Sequence, residues 1–370
     1  MDDSVNKKST LREKLVFAVF ALILAGFFAL NRFIRPPEVS QSERRALAKM
    51  PEFSAQSVIS GKFMSGFESF AADSFFARDA FRTIRAHIVF DVYRQTDKSG
   101  LYQGDYGFGK IEAVNEASYR RAAGKISRLC ENFPGMHIYY SVVPDKSIYE
   151  PRYMPGFDPD KAREILAEEL SGLTFIDLAD CLDGESFYKT DLHWDQPKLG
   201  AVSARLAESM GFASPEGLET VPGGAFFGVY AGQVAMPIEE DRMDYVTGGA
   251  LQNVTVKYLD TKSGEFVPGG MYDPAAISGR DPYDFFLGGV QPLIEIENPA
   301  GEGTLYFFRD SFGSSLAPWL AASYKKIVLI DLRYIDSRIL NNYVSFEPEA
   351  DALFLYSSQI LNNADVLLSP

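Results

Sequence analysis

Histidine, cysteine and tryptophan are scarce in this chain: three, two and two among 370 residues. Three scattered histidines, His87, His137 and His193, argue against a histidine-rich metal site. Cys130 and Cys181 lack the paired spacing of a zinc or redox motif. Both read as buried free thiols, because free cysteine is among the most buried residue types; a disulfide is the alternative for a domain outside the cytosol. Basic residues are outnumbered 36 to 50, for a net charge of -14. No basic block interleaves with aromatics, so a nucleic-acid surface is not expected. Internal repeats and low-complexity stretches are also lacking. Apolar residues are plentiful, at 46% hydrophobic and 14% aromatic. That suffices to pack one large or two ordinary domains.

One long apolar run stands near the N-terminus. Residues 1–14 are polar and carry Lys7, Lys8, Arg12 and Lys14. Leu15 to Leu30 is uninterrupted apolar or small, Phe33 and Ile34 extend the run past Asn31-Arg32, and Arg35-Pro36-Pro37 closes it. With its flanking Lys and Arg snorkelling, the run approaches the about 20 residues of a membrane span. A cleaved leader needs a small-x-small site, and Phe27 to Asn31 offers a poor one. A core helix would not sit at the N-terminus behind a basic segment. Residues 15–34 therefore read as an uncleaved transmembrane signal anchor. The basic flank places residues 1–14 in the cytoplasm and the rest outside it.

Residues 36–98 read as a helical stalk or collar. A short helix is expected from Ser42-Glu43-Arg44-Arg45, interrupted at Met50-Pro51. A longer one is expected from Ser60 to Tyr93, with Phe63, Phe67 and Phe70, then Phe81, Ile84, Ile88 and Val92, at helical spacing. Such stripes are read as packing, and His87 among them as an ordinary packed histidine. Gly100 to Gly107 has the punctuation of a hairpin opening a second domain, residues 99–370. A helix from Asn115 to Phe133, a strand from Met136 to Val143 containing His137, a helix over 158–171 and a strand from Leu173 to Leu178 follow. That alternation predicts a parallel α/β sheet. After the loop Ser186 to Asp195 a helix runs from Gln196 to Met210, with Pro197 in its first turn. Residues 213–300, rich in Gly and Pro, read as an insertion of loops and antiparallel strands such as Val254 to Tyr258. The rhythm then resumes: strand Thr304 to Phe308, helix Ser314 to Ser323, strand Lys326 to Leu332, helix Asp336 to Val344, strand Ala352 to Tyr356 and a closing helix.

Two polar islands carry the chemistry. The first is Thr190-Asp191-Leu192-His193-Trp194; the second is Arg309-Asp310-Ser311-Phe312-Gly313. A serine hydroxyl needs a neighbouring base, and the base an orienting partner. Histidine titrates near the working pH, and a carboxylate fixes its tautomer. In an extended segment residues i and i+2 share a side. Asp191 can thus meet one ring nitrogen of His193, leaving the other for Ser311, while Leu192 points away into packing. Ser311 lies where a strand hands over to a helix, where ligands gather in parallel sheets and free N–H groups can hold an oxyanion. Ser314 and Ser315 compete for the nucleophile role but fall inside the helix. The bland alternatives are that Ser311 and Asp191 cap helices and that His193 is a satisfied surface histidine. A metal-dependent hydrolase on Asp191 and His193 lacks further ligands.

Tyr188-Lys189-Thr190-Asp191-Leu192-His193-Trp194 resembles the motif of the DHHW proteins, relatives of the alginate acetylation proteins in the SGNH-hydrolase superfamily. The N-terminal anchor, Ser60-Gly61-Lys62-Phe63 through Phe75-Phe76-Ala77-Arg78-Asp79, Val143-Pro144-Asp145-Lys146 and Arg309-Asp310-Ser311-Phe312-Gly313 match in the same order, covering nearly the whole chain. The resemblance implies an SGNH-like three-layer α/β/α sandwich with Asp and His ahead of Ser. It implies O-acetyl transfer to, or removal from, an extracellular polysaccharide, with a membrane-bound acyltransferase partner delivering the acetyl group and no cofactor. Carried over by position, Asp191 orients, His193 is the base and Ser311 the nucleophile. One departure is Leu192, where the family has its name-giving first histidine. The oxyanion donors do not map; the Ser311 backbone, Arg309 and Gly289 are the candidates. The rival class is a catalytically silent glycan-binding or scaffold subunit of an envelope complex.

Overall fold

The computed structural model describes residues 3–34, 37–40, 42–110, 112–150 and 156–370, with side chains of the first helix from residue 12 onward. The expected closure of the apolar run at Arg35-Pro36 and the first two residues of the expected cytoplasmic segment lie outside the described residues. The chain divides into two compact units, Met1–Ile88 and Val89–Pro370.

In the first unit, helix α1 spans Asp3–Phe33. Its stretch Arg12–Phe33, 22 residues with none of its window buried, is long and apolar enough to cross a membrane. The helix expected at Ser42 to Arg45 does not form. Those residues make a turn between Val39–Ser40 and Arg45–Ala46, which pair antiparallel. The pairing, and ion pairs of Glu43 with Arg78 and Arg82, override the local helix preference of Glu and Arg. Three helices follow: α2 Ala55–Ile59, capped by Ser54, α3 Lys62–Asp73 and α4 Arg78–His87. The single helix expected over 60–93 is thus broken between Asp73 and Arg78. Ala77 sits there in the left-handed region (φ 55°), which an α-helix cannot pass through.

The second unit opens with the expected hairpin, strands β1 Leu101–Gly104 and β2 Gly107–Lys110. Helix α5, Glu116–Cys130, starts where the Asn115 side chain accepts the Ser118 N–H, and α6, Pro159–Glu169, where Asp158 accepts that of Lys161. Strand β3 is His137–Val143 and β4 only Thr174–Phe175. A 3-10 turn at Gln196–Leu199 leads into α7, Gly200–Met210; a short α8, Val229–Val234, follows. The remaining strands of the main sheet are β5 Thr255–Asp260, β6 Glu265–Gly269, β7 Leu293–Glu297, β8 Glu302–Arg309, β9 Tyr324–Ile330 and β10 Asp351–Ser357. Helix α9, Phe312–Ala321, joins β8 to β9. The helices expected at 336–344 and at the end are shorter pieces, a 3-10 turn Ser337–Asn342 and the four-residue Ser358–Leu361.

Eight strands form one sheet in the order β6-β5-β7-β9-β8-β10-β3-β4. From β9 to β4 every pairing is parallel; β7, β5 and β6 add antiparallel strands at one edge. The segment 213–300 is therefore not a separate insertion, because its second half supplies three strands of the main sheet. The central strands alternate strictly. Leu305 and Phe307 face one core with α7 and α9, and Tyr306 and Phe308 face the other with α5 and α6. Ile327/Leu329 against Val328/Ile330, and Leu353/Leu355 against Ala352/Phe354, repeat the pattern. Strands buried on both faces explain the unbroken apolar runs of the sequence. The result is the expected three-layer α/β/α sandwich, with Ser311 just past the carboxyl end of β8, an inner parallel strand flanked by β9 and β10.

Candidate active site

The loop that carries Asp191 and His193 is closed at its base. Phe187 and Trp194 pair as an antiparallel bridge, and the Tyr188 N–H donates to the His193 carbonyl at 3.0 Å. Its tip is fixed from several directions. The Asp241 carboxylate accepts from the Lys189 N–H (2.9 Å), the Thr190 N–H (2.6 Å) and the Thr190 hydroxyl (2.5 Å). The Lys189 carbonyl accepts the Phe108 N–H at 2.8 Å, an approach open only because Gly107 has no side chain: a Cβ there would lie 2.2 Å from that carbonyl oxygen. Buried Lys146 donates to the carbonyls of Tyr188 (2.8 Å) and Asp191 (2.9 Å).

On this platform the Asp191 carboxylate, 1% exposed, takes three N–H groups. Oδ1 accepts the His193 ring N–H at Nδ1 (2.6 Å) and the His193 backbone N–H (3.1 Å); Oδ2 accepts the Val229 N–H at the start of α8 (2.9 Å). The other ring nitrogen, Nε2, stands 2.8 Å from Ser311 Oγ. The three residues read together from spacing thus meet in one hydrogen-bonded chain. The imidazole is clamped between rings: Tyr283 stacks on it at 3.6 Å and 8°, and Phe312 tilts against it at 4.8 Å.

The capping alternative fails for Ser311, and Asp191 accepts the first N–H of α8 rather than capping the helix that follows it in sequence. The Ser311 side chain makes no cap hydrogen bond; Asp310 does that work, accepting the Phe312 N–H (3.0 Å) and the Ser357 N–H (2.7 Å). Asp191 is spent on His193 and Val229. The competing serines are buried: Ser314 at 3% exposure, and Ser315 at 0% with its hydroxyl engaged by Trp194 Nε1 (2.8 Å) and the Tyr283 hydroxyl (2.7 Å). Ser311 is partly exposed. Leu192 packs against the apolar clusters on its two sides, as its outward position in the motif predicts. His137 lies exposed at the sheet end, 3.4 Å from Asp351, and both cysteines are free.

The oxyanion candidates separate. The Gly289 N–H donates to the Phe286 carbonyl within its own turn. Arg309 is buried, and its Nη1 reaches Asp331 Oδ2 and the Asp310 carbonyl, both at 3.3 Å. The backbone N–H of Ser311, at the head of α9, lies beside the hydroxyl itself. A cleft of about 700 Å³ is lined by Tyr188, Lys189, Asp195, Asp241 and Asp244, but not by Asp191, His193 or Ser311. Burial raises the Asp195 carboxyl in it to about 6. No group of His, Cys, Asp or Glu suited to a metal ion occurs among the described residues.

Sequence reasoning missed Asp241, Gly228 and Tyr283, and quoted Lys146 without a role. Gly228 leaves one testable mark. Its N–H donates to Thr190 Oγ1 (2.7 Å), and a Cβ there would lie 2.3 Å from the Thr190 carbonyl oxygen and 2.4 Å from Asp191 Cβ. Gly228→Ala should therefore cost about 1–3 kcal/mol of stability and displace Asp191. Denaturant unfolding beside ester-hydrolysis kinetics checks both.

Lys146 leaves another. Desolvation lowers its ammonium from 10.5 to about 8, against the opposing pull of Asp145, Asp191 and Asp241. A base whose folded pKa lies below its unfolded one binds fewer protons when folded. This group's contribution to stability therefore rises between about pH 8 and 10.5, by at most about 1.4 kcal/mol per pH unit. Unfolding midpoints across that window should rise less steeply in Lys146→Met than in the wild type.

No family model matches this chain, and no curated protein matches it in sequence. Solved structures do. A DHHW family protein from Eubacterium siraeum is similar with a TM-score of 0.59 at 20% identity, over 74% of this chain and 98% of that one. Bacillus cereus PatB1 carrying a sulfonyl adduct is similar with a TM-score of 0.55 at 17% identity, over 72% of this chain and 96% of that one. The O-acetyltransferase domain of Pseudomonas putida AlgJ superposes more loosely, with a TM-score of 0.44 at 12% identity over 72% of this chain and 93% of that one. The chain shares the fold of the first two proteins, so its resemblance to the DHHW family is one of three-dimensional structure as well as of motifs.

Proposed function

We propose that this chain is a membrane-anchored, extracytoplasmic serine acyltransferase or esterase acting on O-acetyl groups of a cell-surface or secreted polysaccharide. The observation that carries the reading is the unbroken chain Asp191 Oδ1–His193 Nδ1 (2.6 Å) and His193 Nε2–Ser311 Oγ (2.8 Å) in a buried, ring-clamped setting. His193 Nε2 takes the Ser311 proton as Oγ attacks the carbonyl carbon of an acetyl ester. The C=O electrons move onto oxygen, beside the Ser311 N–H. Asp191 balances the imidazolium. The intermediate collapses, the ester C–O bond breaks and His193 returns the proton to the departing alcohol. Ser311 is left acetylated. An acceptor hydroxyl then loses its proton to His193, attacks the acyl-enzyme and leaves as the new ester, with Ser311 reprotonated. Where the acceptor is water, acetate leaves and the same machinery is an esterase.

A sugar acceptor is supported by the exposed ring of Phe227, 49% accessible and next to Gly228, which packs on the Asp191 loop. The acetyl donor is assigned, on the family resemblance, to a membrane-bound acyltransferase partner. The apolar stretch Arg12–Phe33 supports the anchor. The silent-scaffold reading rests on the unmapped oxyanion donors and on Leu192 in the motif; the 2.8 Å between Ser311 Oγ and His193 Nε2 weighs against it. The test is the full chain in detergent with a chromogenic acetyl ester, with and without polysaccharide acceptors. Ester cleavage with acetyl appearing on glycan supports the transferase, cleavage alone the esterase. Glycan binding without cleavage returns the scaffold.

A further inference from the structure

We infer that the collar of the first unit is a lipid-surface element: the α3–α4 elbow and the apolar face of α4 lie in the interface of the bilayer that α1 crosses. This rests on reading α1 as a membrane anchor. The elbow packs directly on the spanning segment. Phe27 of α1 stacks on Phe75 (5.5 Å, 12°) and lies 6.3 Å from Phe76 and 5.8 Å from Phe81. Asn31, the polar break in the apolar run, secures the contact. Its carboxamide oxygen accepts the Phe76 N–H at 2.7 Å, and its nitrogen donates to the Phe27 carbonyl at 2.8 Å. A carboxamide that lipid would leave unsatisfied is used to dock the elbow.

Depth follows from helix geometry. The 22 residues from Arg12 to Phe33 rise about 33 Å, close to the hydrocarbon thickness of about 30 Å. Phe27 lies about 9 Å inside the outer end of that segment. The rings that touch it share that depth, and interfacial helices bury their apolar face by about 5–10 Å. The residues concerned are open: Phe75 is 40% exposed, Phe81 44%, Ile84 53% and Ile88 40%. Phe81, Ile84 and Ile88 recur at i, i+3 and i+7, one stripe along α4 and onto the residue that caps it. Several charges of the collar are engaged with one another: Arg45 reaches Asp73 at 2.6 Å, and Arg78 and Arg82 reach Glu43. A lipid surface, rather than a second copy, is the occupant because the stripe is continuous through Phe27 with the lipid-facing side of α1.

The test places one tryptophan at a time in the full chain, reconstituted in phosphatidylcholine vesicles brominated either near the headgroup or near the chain ends. Phe81→Trp probes the collar, Ile84→Trp serves if that variant misfolds, and Phe17→Trp probes the span; the wild-type signal of Trp194 and Trp319 is subtracted. The expected result is strong quenching of the collar tryptophan by shallow bromines and of the span tryptophan by deep ones. Quenching at Phe17→Trp alone overturns the collar inference and leaves the anchor standing; a collar tryptophan shielded also from aqueous iodide then identifies a second copy as the cover. Quenching at neither position overturns the anchor reading, and this inference with it.

Discussion

Ser311→Ala is expected to bring acetyl-ester turnover down by roughly 10⁶-fold, to background, because removing a triad nucleophile costs about as much as removing the whole triad. The fold should hardly notice. The Ser311 hydroxyl makes no cap bond, Asp310 holds the start of α9, and the hydrogen bond to His193 is the one that disappears. The thermal midpoint should shift by a few degrees at most. Steady-state kinetics beside a melting curve reads both. Retained turnover in Ser311→Ala would move the nucleophile elsewhere, and a collapse in stability would make Ser311 a structural residue after all.

Asp191→Asn is expected to cost on the order of 10⁴-fold in turnover while also weakening the fold. The carboxylate accepts three N–H groups, two on Oδ1 and one on Oδ2. An amide offers one acceptor and one donor in their place. If its nitrogen faces Val229, one buried N–H loses its partner, at about 1–3 kcal/mol. If its nitrogen faces His193, the ring is driven to the tautomer with its proton on Nε2, which cannot take one from Ser311. Either orientation separates this variant from Ser311→Ala: both are slow, but only Asp191→Asn should lose stability. Kinetics and denaturant unfolding on the pair check it. Equal stability in the two would mean that the three N–H bonds do not anchor the loop.

The hydrogen-bonded chain Asp191–His193–Ser311 was legible because its signal is local. Asp191 and His193 are two residues apart in an extended loop, and Ser311 follows an apolar strand directly, so period-two geometry and the strand-to-helix rule each place one half of the site. The parallel core was legible for a similar reason, since Leu305 to Phe308, Ile327 to Ile330 and Ala352 to Tyr356 are unbroken apolar runs. What stayed hidden depends on distant partners. Asp241 holds Lys189 and Thr190 from about fifty residues away, as its hydrogen bonds record. Lys146 reaches the loop carbonyls, and Tyr283 stacks on His193, only once the sheet is assembled. Leu293 to Glu297 alternates apolar and acidic residues like an independent antiparallel strand. Nothing local reveals that it pairs with β9 in the main sheet. The break before α4 was hidden too, because Ala77 is a good helix former held in a left-handed conformation.

The most direct measurement of the central claim is covalent trapping. The full chain would be treated with a sulfonyl fluoride, digested and mapped by mass spectrometry, beside His193→Ala. One adduct is expected, on Ser311, forming fast in the wild type and lost in His193→Ala. An adduct on another residue, or equal labelling of Ser311 without His193, would contradict it.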